Sequence, residues 1–438
     1  MMHIRRLLGL LAALLAVAVA VAQSNGSNSS YSRFGLGLLT DRSQGLNLGM
    51  AGVAQGLRSP MHANTQNPAS YSAIDSLTFI FDAGMSLQRG HMASGGKGVN
   101  AFNASLDYVT AGMRLSRGLG LSFGFIPYSS IGYNFDVTGQ VGSSYTSTQA
   151  ITTRTTYYGN GGLHELYMGV GWRPVADLSI GANIGYLWGE YDHSLAQRFY
   201  EGGTVSSNYS ALNEVWGGDL RTYKLDIGVQ YPVRLNQKNQ LGLGATMSLG
   251  HTIGSNISLM RYTSKGDTIT RQKSKAFDIP HTIAVGASWQ HDERLTLAAD
   301  YTLEHWSGCR VPVSQTTPTT TDIFIATNQY SNKHRVALGA DYIHKTQGRK
   351  YAERIHYRIG ASYTTPYVKV NGANGPYEYA LTAGATLPLN TGSRSVINVA
   401  VEWKRRVPNV SQQISENYLM LHMGITFNET WFMKWKFQ

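Results

Sequence analysis

At 438 residues, with charged residues at only 14%, 48 Gly and 26 Tyr, the chain is too poor in charge for long solvated helices, a coiled coil or a disordered tail, and reads as β-rich. The single cysteine, Cys309, rules out an intrachain disulfide and a cysteine-built metal or redox pair. The formal charge of +11 is spread along the chain without a dense basic patch, which argues against a nucleic-acid partner.

In chain order, residues 1–22 read as a signal peptide. A basic start, Arg5-Arg6, precedes an apolar run from Leu7 to Val21, and Ala20-Val21-Ala22 forms a small-x-small cleavage site. The reading predicts export with Gln23 as the first mature residue. No Cys follows the site, so no lipid anchor is expected. No later stretch approaches the roughly 18 consecutive apolar residues of a transmembrane helix.

Residues 23–75 lack any period of two. Leu36, Leu38, Leu46, Leu48 and Met50 are interrupted by Gly35, Gly37, Gly45 and Gly49, the pattern of a compact irregular plug. Leu36, Leu38, Leu46, Leu48 and Met50 are its candidate apolar lining.

From residue 76 to 427 apolar residues alternate with small or polar ones, which sends side chains to two faces of a strand. Leu241, Leu243, Ala245 and Met247 alternate with Gly242, Gly244 and Thr246; Leu419, Leu421, Met423 and Ile425 alternate with Met420, His422 and Gly424. Such segments start near Ser76, Phe102, Leu119, Leu163, Leu178, Leu220, Leu241, Phe277, Leu295, Lys333, Ile355, Tyr377, Val396 and Asn417. Each spans the ten or so residues that carry a tilted strand across a bilayer. Short turns at Arg117-Gly118, Pro174-Val175, 236–239, 291–293 and 390–392 alternate with long polar segments at 132–161, 189–218 and 307–332. Transmembrane barrels keep short turns on the periplasmic side and long loops outside.

Aromatic girdles agree with this reading. Trp172, Tyr231, Trp289 and Phe427 fall at short-turn ends, and Trp188, Trp306 and Trp403 at loop ends. The expected fold class is all-β: a 14-stranded antiparallel transmembrane β-barrel with residues 23–75 as an N-terminal hatch, or plug, inside the lumen. It implies the outer membrane of a Gram-negative-type bacterium, both termini periplasmic, and residues 428–438 as a strand extension or periplasmic tail. A soluble β-sandwich or propeller would not need the alternation of turn lengths.

Chemistry is sparse. No Gly-x-Ser-x-Gly elbow stands out, and His164-Glu165 lacks the second His of a zinc helix, so neither an enzyme, a cofactor nor a metal is expected. Inward charges such as Asp107, Asp226, Asp300, Glu304, Arg335, Asp341, Arg358 and Glu402 are expected to pair across the lumen and with the plug. Tyr145, Tyr157, Tyr158, Tyr200 and Tyr209 in the loops are candidates for a capture groove.

Asn67-Pro68-Ala69, directly ahead of the first strand, completes a pattern of plug length, strand count and motif position that resembles the FadL/TodX family of outer-membrane transporters of hydrophobic compounds. The resemblance implies passive transport of an apolar small molecule, long-chain fatty acid-like or hydrocarbon, by a monomeric barrel embedded in outer-membrane lipid. It makes Asn67, Pro68 and Ala69 the hatch signature. It also implies a sideways exit at the third strand, where Gly124 and Pro127 mark a candidate lateral gate, since Pro cannot donate to a ladder. The chain departs from many such barrels in ending Lys436-Phe437-Gln438 and in loops poor in apolar runs. Barrels of this architecture also resemble the shuttle proteins of the type IX secretion system, so the alternative is a protein-secretion shuttle or scaffold with protein partners in the outer membrane. A steady polar pore is the weakest option.

Overall fold

The computed structural model describes residues 28–76, 78–143, 150–175, 177–316, 321–345, 348–389, 394–411 and 413–430. The segment read as a signal peptide, Tyr145 and residues 431–438 lie outside them. Fourteen wall strands close a barrel. They are β1 (Thr78–Ser94), β2 (Lys97–Ser116), β3 in two parts, β3a (Leu119–Pro127) and β3b (Ser129–Ser143), β4 (Ala150–Val175), β5 (Leu178–Glu201), β6 (Leu212–Arg234) and β7 (Asn239–Ser248). β8 (His281–His291), β9 (Leu295–His305), β10 (Lys333–Ile343), β11 (His356–Thr364), β12 (Tyr377–Pro388), β13 (Val396–Val407) and β14 (Ser415–Thr430) complete it. Neighbours in sequence pair antiparallel, and β14 returns to β1 from Thr78↔Thr430 to Ala93↔Ser415. Closure follows from the solvent: backbone groups in hydrocarbon have no water to bond, and a closed wall leaves no edge.

The outward residues of mid-wall form an apolar belt, with Leu166, Ile184, Leu338, Ile359 and Leu381 exposed. That is the surface of a lipid-facing wall.

Three segments expected as loops differ. Most of 132–161 and 189–218 is strand, because β4, β5 and β6 run for 26, 24 and 23 residues. At about 3.3 Å per residue, β4 reaches about 85 Å, well past any bilayer. Runs such as Thr152-Thr153 and Thr155-Thr156-Tyr157-Tyr158 favour extended backbone, but the side chains on their buried face, Thr153 and Thr155, are polar, so no apolar alternation marks them. Segment 307–332 folds as a hairpin, Val311–Thr316 against Thr321–Ala326. Trp306 does not join a girdle; it is buried in an aromatic cap with Tyr330 and Tyr367, ring centroids 5.8 and 4.5 Å away.

Residues 28–76 thread the lumen from the loop end to the short-turn end. Ser29 donates to Glu416 at 2.8 Å near the start of β14, and Leu36 sits in the aromatic cap. Gly45 N–H donates to Tyr108 at 2.8 Å, Ala54 N–H to Asp300 at 2.6 Å, and the 3-10 turn Pro68–Ala73 closes the far end against β4 and β5. The described chain thus begins at the loop end with Asn28 on Asn103 and finishes at the short-turn end with Thr430.

Small residues on the inner wall make this threading feasible. A Cβ at Gly181 would overlap the backbone of Pro68 and Ala69, and one at Gly244 the carbonyl of Gln55. The small face of the Leu241–Met247 alternation is therefore where lumen backbone lies against wall backbone.

Gly244→Val is expected to keep the barrel closed, with unchanged heat-modifiable gel migration, while displacing residues 54–57 at a cost of about 1–3 kcal/mol. Planar-bilayer recordings should show a steady conductance that the unaltered protein lacks; equal conductance in both would refute the close-packing account.

Candidate functional site

Among the described residues, the wall ladder breaks between β2 and β3. β3a pairs with β2 only as far as Val109↔Phe125, while on its other side it stays registered with β4 to Pro127↔His164. Pro127 has no N–H to offer the ladder. At Tyr128 the N–H bonds Leu163 of β4 at 2.8 Å, but its carbonyl turns to accept from Thr40 N–H at 3.0 Å. β3b then departs from β2. Among the described residues, Lys97 to Tyr108 of β2 pair with β1 alone. The vacated edge is taken by the lumen segment: Leu38–Leu39 pairs antiparallel with Ser129 and Ser130, and the Thr40 hydroxyl donates to the Pro127 carbonyl. Gly37 enables the approach. It has φ +90°, and a Cβ there would overlap Ser130 and Ile131.

A cavity of about 650 Å³ lies at this break. Its inner lining includes Leu38, Leu39, Leu48, Glu402, Lys404, Arg406 and His422, and its outer lining Phe125, His164 and Trp188. The last three share the outward face with exposed Phe123, Leu166 and Tyr186, so the lining draws on both faces of the wall. Phe125 stacks on His164 at 5.4 Å and tilts against Trp188 at 6.0 Å.

Below the break, ion pairs fasten the lumen segment. Arg42 meets Glu165 at 2.9 Å and Asp226 at 3.3 Å, Lys224 also binds Asp226, and Arg335 meets Asp41 at 2.7 Å. Burial alone would raise the Asp41 carboxyl, but the Arg335 guanidinium and Lys404 ammonium outweigh it and hold the group below its ordinary range. The other inward charges are paired as well: His422 bridges Asp107 and Glu402 at 3.2 and 3.0 Å, Arg358 faces Asp341 at 3.5 Å, and Lys333 meets Glu304 at 2.8 Å.

The residues singled out from sequence scatter along the lumen. Asn67 caps the turn Pro68–Ala73, accepting from Ala69 N–H at 3.2 Å and donating to Gln55 and Val229 carbonyls at 3.0 and 3.2 Å. This motif is at the short-turn end, away from the wall break. Gly124 is pressed so closely on Val109 and Thr110 that a Cβ would overlap their backbone, so it sits where β2 and β3a still join. Leu36 belongs to the aromatic cap, Leu38 and Leu48 to the cavity, Met50 to a cluster with Val53, Ala298 and Ala337, and Leu46 to a second cavity of about 650 Å³ at the short-turn mouth. They form no single lining. Tyr157 packs under Arg33, 3.9 Å from guanidinium to ring centre, and Tyr209 on Phe199 at 5.3 Å.

Thr40 and Arg42 went unmarked in the sequence, although a lone Asp-Arg pair in a Gly- and Leu-rich segment is a signal for buried ion pairing. A Gly-x-Ser-x-Gly spacing is in fact present, Gly120 to Gly124. It lies within straight β3a, and the Ser122 hydroxyl bonds the Ala111 carbonyl and Tyr167 hydroxyl at 2.9 and 2.8 Å, so it forms no nucleophile elbow.

A family model described as BamG matches residues 3–438. The chain belongs to the BamG family. No curated protein matches its sequence. Among solved structures it is similar to the CymD monoaromatic hydrocarbon channel, at TM-score 0.58 and 15% identity over 89% of this chain and 99% of that one. It is similar to the Ralstonia pickettii toluene transporter TbuX, with TM-score 0.58, 15% identity and the same coverages. A Pseudomonas aeruginosa FadL homologue matches at TM-score 0.60 and 12% identity, again over 89% and 99%. The chain therefore has the FadL/TodX-type fold.

Arg42→Ala is expected to strand Glu165 in the lumen and lower stability by about 3–5 kcal/mol. Thermal unfolding followed by circular dichroism should register the loss, and adding Glu165→Gln should recover part of it; a double variant no more stable than the single one would contradict the pairing.

Proposed function

We propose that this barrel moves an apolar or amphipathic small molecule passively within the outer membrane, with residues 28–76 as its hatch and the break between β2 and β3b as its sideways exit. The observation that carries this reading is the cavity at the break, which links the Leu38–Leu39 pairing inside to Phe125 and Trp188 on the lipid side. Three structures of the same fold are described as a hydrocarbon channel, a toluene transporter and a FadL homologue, which supports a substrate of that class.

A molecule leaving through the break would pass directly into lipid, so partition of its apolar surface supplies the driving force and no nucleotide is needed. Leu38, Leu39, Leu48, Phe125 and Trp188 suit its apolar body. Lys404, Arg406, Glu402 and His422 suit a polar end. Release would require the hatch strand to leave Ser129 and Ser130, with Thr40 giving up its bonds to Pro127 and Tyr128. In this scheme Asn67, Pro68 and Ala69 anchor the hatch at the short-turn end, so that movement is confined to the segment near Leu38.

A second reading, a shuttle or scaffold for exported protein, is favoured by the charge of the cavity lining and by the tall extension of β4, β5 and β6 beyond the wall.

The test is a disulfide across the gate. Leu38 and Ser130 are directly opposed, close enough for a bridge, and native Cys309 is buried. In liposomes, the oxidised Leu38→Cys, Ser130→Cys variant should lose uptake of radiolabelled toluene or oleate at least tenfold and regain it on reduction. Uptake that persists in the locked state would sink the lateral-exit reading. Failure of the unaltered protein to take up or retain any apolar compound, with a stoichiometric protein companion in native mass spectrometry, would favour the second.

A further inference from the structure

We propose that the outer edge of β3b, residues 133–140, is a docking edge for an extended segment of another protein, which would add as a further strand beside it. β3b pairs with β4 on one side from Ile131↔Gly161 to Gln140↔Thr152. On its other side, among the described residues, the only strand is Leu38–Leu39 at Ser129 and Ser130, with the Ser32 hydroxyl on Gly132 just above. From Asp136 to Gln140 the strand is exposed, and Val137 is half exposed.

Such an edge is normally guarded. Soluble sheets blunt exposed edges with Lys, Pro, bulges or inward charges, because unpaired N–H and C=O groups template another strand. The run Tyr133-Asn134-Phe135-Asp136-Val137-Thr138-Gly139-Gln140 holds no Lys, Arg or Pro, and its ladder with β4 is regular up to Gln140. Its one charge, Asp136, is engaged by Arg154 and by Thr156 at 2.6 Å on β4. A row of alternating backbone donors and acceptors is complementary to one class of partner, an extended polypeptide. The neighbouring Leu38–Leu39 pairing establishes that this same edge takes an added antiparallel strand, so a partner segment would continue an existing ladder. Exposed Val137, with Val99 and Phe102 on the diverging edge of β2, favours β-branched or aromatic partner side chains.

The edge belongs to the part of β3b that rises with the extended β4, so docking there is independent of whether the lumen moves a small molecule. The experiment uses the full-length protein in outer membranes, with the photoreactive side chain p-benzoylphenylalanine at Thr138 or Gln140 and, as control, at exposed Val313. Crosslinked peptides are sequenced. The expected result is one partner segment in which moving the probe by two residues moves the crosslinked partner residue by two, absent from the control. Of Val137→Pro and Thr138→Pro, the variant whose lost N–H faces the edge should cut capture from Gln140 at least tenfold, with heat-modifiable migration unchanged. Crosslinks confined to lipid or lipopolysaccharide, crosslinks to residues 23–27 of the same chain, a partner captured without a register, or capture surviving both prolines would each overturn the proposal. Loss of docking with solute uptake intact would leave the transport reading untouched.

Discussion

The structure depends on one constraint: in hydrocarbon every backbone N–H and C=O must find a partner within the protein. Among the described residues, pairing of neighbouring strands together with closure of β14 on β1 satisfies it around most of the wall. The junction between β2 and β3 does not close throughout, because Pro127 ends the shared ladder and Tyr128 turns its carbonyl inward. That local failure explains the course of the lumen segment, which brings Gly37, Leu38, Leu39 and Thr40 to the edge of β3b where it parts from β2. The lumen segment thus pairs with the wall as well as filling the barrel interior.

What was legible in the sequence follows from the same constraint. A lipid-facing surface imposes a strict contrast between the two faces of a strand, so Leu241 to Met247 and Leu419 to Ile425 announce strands whose positions agree with β7 and β14. Above the bilayer that contrast vanishes. The Thr- and Tyr-rich start of β4 buries polar Thr153 and Thr155, and the Asn-Phe-Asp-Val run of β3b has no lipid-facing side, so both read as loops although they are strands. The break at Pro127 was visible because proline carries its consequence in its own covalent structure. Its complement in the plug was not, since nothing local to Leu38 says that it lies opposite Ser130.

The lumen contacts were the least legible part. Arg42 and Asp226 are separated by 184 positions, and an irregular segment has no period from which its register against a wall can be read. For the same reason Leu36, Leu38, Leu46, Leu48 and Met50, grouped in sequence as one apolar lining, are distributed among the cap, the side cavity, the lower cavity and a small core cluster. The glycines that alternate along β7 were correctly seen as a small face. Their reason lay elsewhere, in the carbonyl of Gln55 that presses on Gly244.

The energetics of the break set a condition on any opening. A backbone hydrogen bond exchanged for one to water changes stability by only about 0.5–1.5 kcal/mol, whereas a peptide group left unpaired in an apolar medium costs several times more. Moving Leu38–Leu39 away from Ser129 and Ser130 is therefore cheap if water or a polar ligand end replaces the lost bonds, and costly if lipid alone does. The lining of the side cavity speaks to this choice. Lys404, Arg406, Glu402 and His422 keep its inner half polar, while Phe125 and Trp188 make its outer half aromatic. A molecule with a polar end inside and an apolar end outside satisfies both halves at once, and it offers the exposed strand edge hydrogen-bonding partners that a pure hydrocarbon lacks. If the break opens as proposed, that argument makes amphipathic solutes the ones that lower the barrier, while a purely apolar solute would rely on water from the lumen to stand in for the departing strand.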